Sequence, residues 1–512
     1  MISETDRRTL EGYARATWQS MLAMTVPATG LPADAIDGEL RAETRTRYTS
    51  PTNVAMLLWS ALVARDLGLT SREEAARRIE RALDSLEALE RHAPSGQFYN
   101  WYDPESLARV TLWPDAPGGP VYPFASSVDN GWLASALLML KGALPERPDL
   151  GERAFRIATS MNFACYYDAA AKGERQPGLL RGGFWRMNEA APGSEVLPHG
   201  DYAGSGEVVI YTGHHYETFN SEPRIASYLG IALGQLPPEH YFAAWRTYTD
   251  SCGHAWQEAR PVGRWRRHLG VDVFEGAYVV GGRRLVPSWG GSMFEALMPA
   301  LIVPELEWGA QSWAITHPLY VQAQIEFGSS EARYGYWGFS PASDPAGGYR
   351  EYGVDALGMK PDGYASDVER LTVFDAGWDG AGCARPRRPI TDYGQGVVTP
   401  HAAFLALELA PAATLDNLAA LRRDFPALYG PGGFKDSINV ATGQYADRYL
   451  ALDQGMVMAA IDAALGARLR GYLAPIVRRA LEPLMRMEEF AAGSAGLESP
   501  RGGAPRSPSV HQ

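Results

Sequence analysis

Apolar residues recur at intervals of three and four along most of the chain, the signature of helices with one buried face. The repeat is clearest over 52–67, 72–91, 130–143, 152–167, 222–233, 291–302, 313–328, 399–410, 414–425, 449–465 and 472–490, and residues 6–24 form a further amphipathic stretch. Start signals agree with this phase. Ser71 followed by Glu74 forms a capping box, and Thr399-Pro400 puts proline at a first helical position. Strand-type stretches are few, chiefly 207–212 and 271–280, and read as hairpins carried on loops.

Between the predicted helices lie long loops rich in Gly, Pro and aromatic residues, at 93–128, 176–221, 253–290, 335–398 and 428–447. Loops of such length inside a compact domain are usually functional. About a dozen helices separated by elaborate loops predict an all-α fold, an (α/α)6 barrel or toroid, with aromatic-rich rim loops and minor β-hairpins. Two stacked helical domains are the alternative. No internal stretch has linker composition, so 1–490 reads as one domain, with 1–47 as an N-terminal helix and lead-in. The segment 491–512 is dominated by Gly, Ser, Pro and Ala and is expected to be disordered.

Composition narrows the function. The chain has 512 residues, 46% of them apolar and 21% charged, which suits a globular protein. Its 14 Trp, 25 Tyr and 16 Phe suit a thick core or a carbohydrate-stacking cleft. The net charge of −12 argues against nucleic acid, whose binders carry a basic face. Cys165, Cys252 and Cys383 are far apart and predict neither a disulfide framework nor a metal knot. No apolar run is long enough for a membrane helix, and the first residues lack the apolar centre of a signal peptide. The expectation is a cytoplasmic protein with no membrane partner. His residues show no metal-like spacing and no nucleotide motif is present, so neither metal nor cofactor is expected.

Four segments carry chemistry. In 96–103, Tyr99, Trp101 and Tyr102 beside Asn100 and Asp103 suit a sugar platform, aromatic faces packing on pyranose C–H faces while amide and carboxylate take hydroxyls; a buried aromatic corner is the alternative. In 126–132, Asp129 reads either as a helix N-cap or as a carboxylate at the mouth of the ring. In 219–228, Ser221 and Pro223 begin a helix, placing Glu222 and Arg224 at its rim and Tyr228 a turn below. In 287–299, Gly290-Gly291 allows a close backbone approach, and Glu295 is the only charge between Leu285 and Val303. Burial in apolar surroundings raises a carboxyl pKa, as a general acid at neutral pH requires; a buried Glu–Arg pair is the other possibility.

Taken together, FYNWYD (98–103), SSVDNGW (126–132), SEPRIASYLGIALG (221–234), PSWGGSMFEALMP (287–299), YGYWGFS (334–340), YREYGVDALGMK (349–360), VVTPHAAFLAL (397–407) and GGFKDSINV…YLALDQGM (432–456) resemble the glucoamylase-like domains of bacterial β-1,2-glucan enzymes. These are the endo-β-1,2-glucanases of glycoside hydrolase family 144 and the transglycosylating domain of cyclic β-1,2-glucan synthases. The resemblance implies an (α/α)6 barrel and a glycoside hydrolase of β-linked glucan. It implies catalysis by Glu222 and Glu295, with Asp129 a further functional carboxylate. Glu295 is expected to be the acid and Glu222, with Arg224 near it, the base or nucleophile. Substrate contacts are expected from Tyr99, Asn100, Trp101, Tyr102, Asp103, Arg224, Tyr228, Trp289, Trp337, Tyr352, Asp453 and Gln454. The partner is an oligo- or polysaccharide. A transglycosylase, a glycosidase for another glycan, a non-catalytic sugar-binding protein and an (α/α)-barrel lyase remain as alternatives.

Overall fold

The computed structural model describes residues 2–114, 118–172, 177–247, 261–359 and 396–494. Its α-helices are α1 (Glu4–Met24), α2 (Pro51–Asp66), α3 (Arg72–Ala88), α4 (Ser127–Ala143), α5 (Pro148–Ser160), α6 (Arg224–Ala232), α7 (Met293–Leu297), α8 (Glu305–Trp308), α9 (Trp313–Glu326), α10 (Pro400–Leu405), α11 (Pro411–Asp424), α12 (Ala451–Leu465) and α13 (Arg468–Met487).

Helices α2, α4, α6, α7, α10 and α12 form an inner ring. Each packs on the next, α6 and α7 being tied by Arg224, and α12 returns to α2. The sequence dictates which helices go inside. Every residue of α2 from Pro51 to Ala64 is buried, and α12 is buried along nearly its whole length. A helix apolar on all sides has to be surrounded by others. The outer layer is made by α1, α3, α5, α9 and α11, with the short turn Pro238–Phe242 covering α6. Among these, α3 and α5 keep charged residues on one face and Ala, Leu and Ile on the other. This is the expected (α/α)6 toroid.

The two ends of the ring differ. Helix α13 packs on α2, α4, α6 and α12, and Tyr472 reaches Arg65 and Asp66 at the C-terminal end of α2, so that end is closed. The N-termini of the inner helices open toward the long loops. Contacts between first turns show the convergence: Thr52 of α2 bonds Asp129 of α4, and Glu222 just before α6 bonds Glu295 of α7.

Several boundaries differ from expectation. The helix expected over 152–167 stops at Ser160, and a tight turn, Phe163–Tyr166, leads into the strand Tyr167–Lys172. The strand expected over 271–280 forms as Val271–Val280, with Trp265 opposite Phe274 on its neighbour. It belongs to a four-stranded sheet rather than a lone hairpin, and the segment near 207–212 joins a second such sheet as Val209–Tyr211. The C-terminal expectation is corrected in part. Phe490 is buried in the core, and Gly493–Ser494 pairs with Arg283–Arg284; residues 495–512 lie outside the described residues. Cys165 is a buried free thiol, while Cys252 and Cys383 lie outside the described residues. Among the described residues, no helix is long and apolar enough to cross a membrane.

Candidate active site

Helix N-termini carry unpaired N–H groups and a partial positive charge that stabilises carboxylates. The inner ring gathers six N-termini at one end, and four of them carry an acidic residue. Asp129, Glu295 and Asp453 lie in the first turns of α4, α7 and α12, and Glu222 lies two residues before α6. Ser126 caps α4 by accepting from the Asp129 N–H, so the side chain of Asp129 is not the cap. Its Oδ1 accepts instead from the Thr52 hydroxyl at 2.6 Å.

Glu222 and Glu295 share one site. The Glu222 N–H donates to Glu295 Oε2 at 2.8 Å, and Glu222 Oε2 accepts from Trp132 Nε1 at 2.8 Å. Burial, and then the negative field of Glu295, push the Glu222 carboxyl well above the usual range; Asp129 adds to the effect. Burial pushes Glu295 up to about 8, the N–H of Glu222 offsetting only part of this. Two such carboxyls cannot both ionise cheaply at neutral pH, so the pair holds a proton. Glu295 keeps a charge-assisted bond to a peptide N–H, whereas Glu222 lies next to two other carboxylates. Glu222 is therefore the better proton holder.

Arg224 lowers both carboxyls of this pair through its charge but makes no hydrogen bond to them. Its Nε and Nη2 donate to Glu305 at 2.7 and 3.0 Å, and its remaining hydrogen bonds go to the carbonyls of Ser221, Glu295 and Ala296. Tyr228 and His317 complete the shell of Glu305 at 2.9 Å each. Burial raises Glu305, but Arg224 and His317 together outweigh it and hold the carboxyl down at about 2. The buried Glu–Arg pair weighed for Glu295 thus exists, with a different glutamate. Nothing in the local sequence of Glu305 marks it.

A second acidic group lies along the same rim. His401, Asp436 and Asp453 bring donor atoms within 4.8 Å of one another, a set that their sequence spacing conceals. The Thr399 hydroxyl donates to the Asp436 carbonyl and lies 2.8 Å from His401 Nδ1, so His401 carries its proton on Nδ1. Burial holds the imidazole neutral, down at about 3. Burial, and then Asp436, push Asp453 well up, and burial raises Asp436 as well. Both Asp453 carboxylate oxygens, Asp436 Oδ1 and His401 Nε2 are buried with no hydrogen-bond partner. Asp34, held by Asn53 at 2.8 Å, is raised to about 6 by burial. Two tyrosines join the groups. Tyr216 is raised by burial and then by Glu222, Asp129 and Glu295. Tyr349 leaves 53% of its surface in solvent, yet its hydroxyl is enclosed and is raised by burial, then by Asp453, Asp436, Asp34 and Glu222.

The other expected contacts divide. Trp101 and Trp289 are partly exposed in rim loops. Asn100 is 8% exposed and leaves Oδ1 without a partner. Asp103 anchors its own turn through the N–H groups of Glu105 and Ser106, and pairs with Arg47. Tyr99 and Tyr102 are core residues, the Tyr102 hydroxyl accepting from the Tyr99 N–H and donating to Glu90. Arg224 and Tyr228 are buried on Glu305. Trp337 is packed inside, its backbone bonded to Asn417, and Tyr352 is buried on Asp344. Gln454 bonds Phe434 and Ser20. These buried side chains, expected to contact sugar, are enclosed by protein in this structure. Gly290-Gly291 does permit a close approach: both have positive φ, and a Cβ on Gly291 would lie 1.8 Å from the Val354 carbonyl oxygen.

Residues 262–469 match the model of the family described as "Putative glucoamylase". The motif resemblance is borne out. Over 90% of its length the chain is 25% identical to the cyclic beta-(1,2)-glucan synthase NdvB of Rhizobium meliloti (strain 1021), and it spans 18% of that protein. In structure it is similar to the endo-beta-1,2-glucanase of Chitinophaga pinensis, solved with sophorotriose and glucose, at TM-score 0.61 and 15% identity, covering 93% of this chain and 98% of that one. The endo-beta-1,2-glucanase of Talaromyces funiculosus, solved with sophorose, gives TM-score 0.62 at 13% identity, covering 96% and 92%. The glucoamylase-type segment holds Glu295, His401, Asp436 and Asp453, while Glu222 and Asp129 precede it.

Proposed function

We propose that the chain is a glycoside hydrolase acting on β-1,2-linked glucan or its oligosaccharides through Glu222 and Glu295. The observation that carries this is the contact between the two glutamates at the open end of the ring, both with raised carboxyls. Breaking a glycosidic bond needs a proton on the leaving oxygen and a second carboxylate beside the sugar. Glu222, partly exposed and crowded by carboxylates, is the acid. Glu295, held by a peptide N–H, is the carboxylate that faces the anomeric carbon. These roles reverse the expectation from sequence, because the hydrogen bonds of Arg224 go to Glu305 and to backbone carbonyls rather than to the Glu222 carboxyl. Similarity to a glucan synthase along most of the chain supports transglycosylation as the second reading. Incubation with linear β-1,2-glucan tests both: shorter reducing sugars are expected from hydrolysis, rearranged or cyclic glucans from transfer. Absence of either product would end the assignment.

A further inference from the structure

The segment 98–102 splits its aromatics between two environments. Phe98, Tyr99 and Tyr102 are sealed in the core at no more than 1% exposure, whereas Trp101 is turned outward and partly exposed. It meets two other partly exposed rings from separate segments. Tyr48 lies 5.4 Å from Trp101 and 5.0 Å from Trp113, and the two indoles are 5.9 Å apart. Beside them Leu112 is 61% exposed. A pair of polar groups, Arg47 and Asp103, flanks the cluster at 3.0 Å, with the arginine side chain 65% exposed.

Backbone pairing fixes where this cluster stands. Thr49 and Tyr102 exchange hydrogen bonds, and so do Asn100 and Phe124. Trp101 is therefore held between the strand that runs into the Ser50 cap of α2 and the strand that runs into the Ser126 cap of α4. Directly below, Thr52 and Asp129 join the first turns of those helices. Trp113 stands on a neighbouring hairpin arm, joined to it by Val110 N–H to the Trp101 carbonyl and braced by Leu112 opposite Pro120. The cluster is thus the rim of the acidic cleft between α2 and α4, continuous with it through Asp129. Grouped exposed aromatics on one rim mark an interaction site, and flat apolar faces beside an Arg–Asp pair match a pyranose, which offers C–H faces and equatorial hydroxyls.

We propose that Tyr48, Trp101 and Trp113 form a stacking subsite for the glucan units that extend out of the cleft between α2 and α4. The inference rests on the glucan reading above and adds the direction in which the chain leaves. The test uses the full chain with Glu222→Gln, so that binding is measured without turnover. Titration calorimetry with β-1,2-gluco-oligosaccharides of increasing length is expected to show affinity rising with length. Adding Trp113→Leu or Tyr48→Leu is expected to flatten that rise and weaken binding of the longest oligosaccharides at least tenfold, while Trp113→Phe retains most of it. Unchanged length dependence in the leucine variants overturns the subsite and leaves the glucan reading standing. Absence of binding by the Glu222→Gln protein itself overturns both. Circular dichroism and melting temperature check the fold; if Trp113→Leu fails to fold, Tyr48→Leu and Trp113→Phe carry the comparison.

Discussion

Two groups of buried glutamates lie side by side and behave oppositely. Glu305 is fully enclosed, yet Arg224, His317 and Tyr228 keep it ionised, down at about 2. Glu222 and Glu295 are enclosed by the same helices, yet they meet an indole N–H, a peptide N–H and each other, and both are pushed up. Burial alone does not set the state of a carboxyl; the sign of the partner does. Arg224 links the two groups, its guanidinium spanning Glu305 and the carbonyls of Glu295 and Ala296. The paired glutamate holds Arg224 between α6 and α8, and the other two are left to hold a proton beside the cleft.

The largest effect that separates the two groups is on turnover. Glu222→Gln and Glu295→Gln are each expected to lower kcat by ~10³-fold or more, about 4 kcal/mol of barrier, with unchanged circular dichroism. Glu305→Gln is expected to act first on stability. Removing one partner of a buried ion pair costs about 3–5 kcal/mol, read as a lower urea midpoint. If Glu305→Gln lost activity without losing stability, the division between support and chemistry would be wrong.

The pH dependence is smaller and has opposite signs in the two groups. Glu295 is raised to about 8 against an ordinary 4.5 and Glu222 is raised with it, so the pair keeps one proton at neutral pH. Between those values the folded pair holds a proton that the unfolded chain has released, so the pair's contribution to stability falls as pH rises from about 4.5 to about 8. Glu305 is depressed, and its contribution is present above its ordinary value and is lost as pH falls toward 2. Melting temperature against pH should show a shallower alkaline decline in Glu295→Gln than in the parent, and activity should fall on the alkaline side as the pair loses its proton. The smallest expected effect is that of chelation. The sequence shows no metal-like ligand spacing, so EDTA should leave activity within about twofold; activity restored only by a divalent ion would assign the His401, Asp436 and Asp453 cluster to metal.

Much of the architecture was legible because it follows from local rules. The all-apolar α2 and α12 and the amphipathic α3 and α5 announce inner and outer positions through periodicity alone. Glu222 and Glu295 were legible for a different reason: each sits at a helix start in a segment whose composition packing does not explain. Glu305, Tyr216, Asp34 and His401 carried no such signal. The aromatic run 98–103 misled in part, since Phe98, Tyr99 and Tyr102 are sealed in the core and only Trp101 among its rings is turned outward.

By itself, then, the sequence determined the helices, their caps and which faces are apolar, since these depend on neighbours within a turn or two. Ring closure was decided only in the tertiary structure. It brought six helix N-termini and carboxylates from 34 to 453 together, gave Arg224 to Glu305 rather than to Glu222, and so chose which glutamate is ionised. Those choices depend on distances between residues far apart in the chain, and Coulomb interactions in a dry cleft are set by such distances rather than by sequence neighbours.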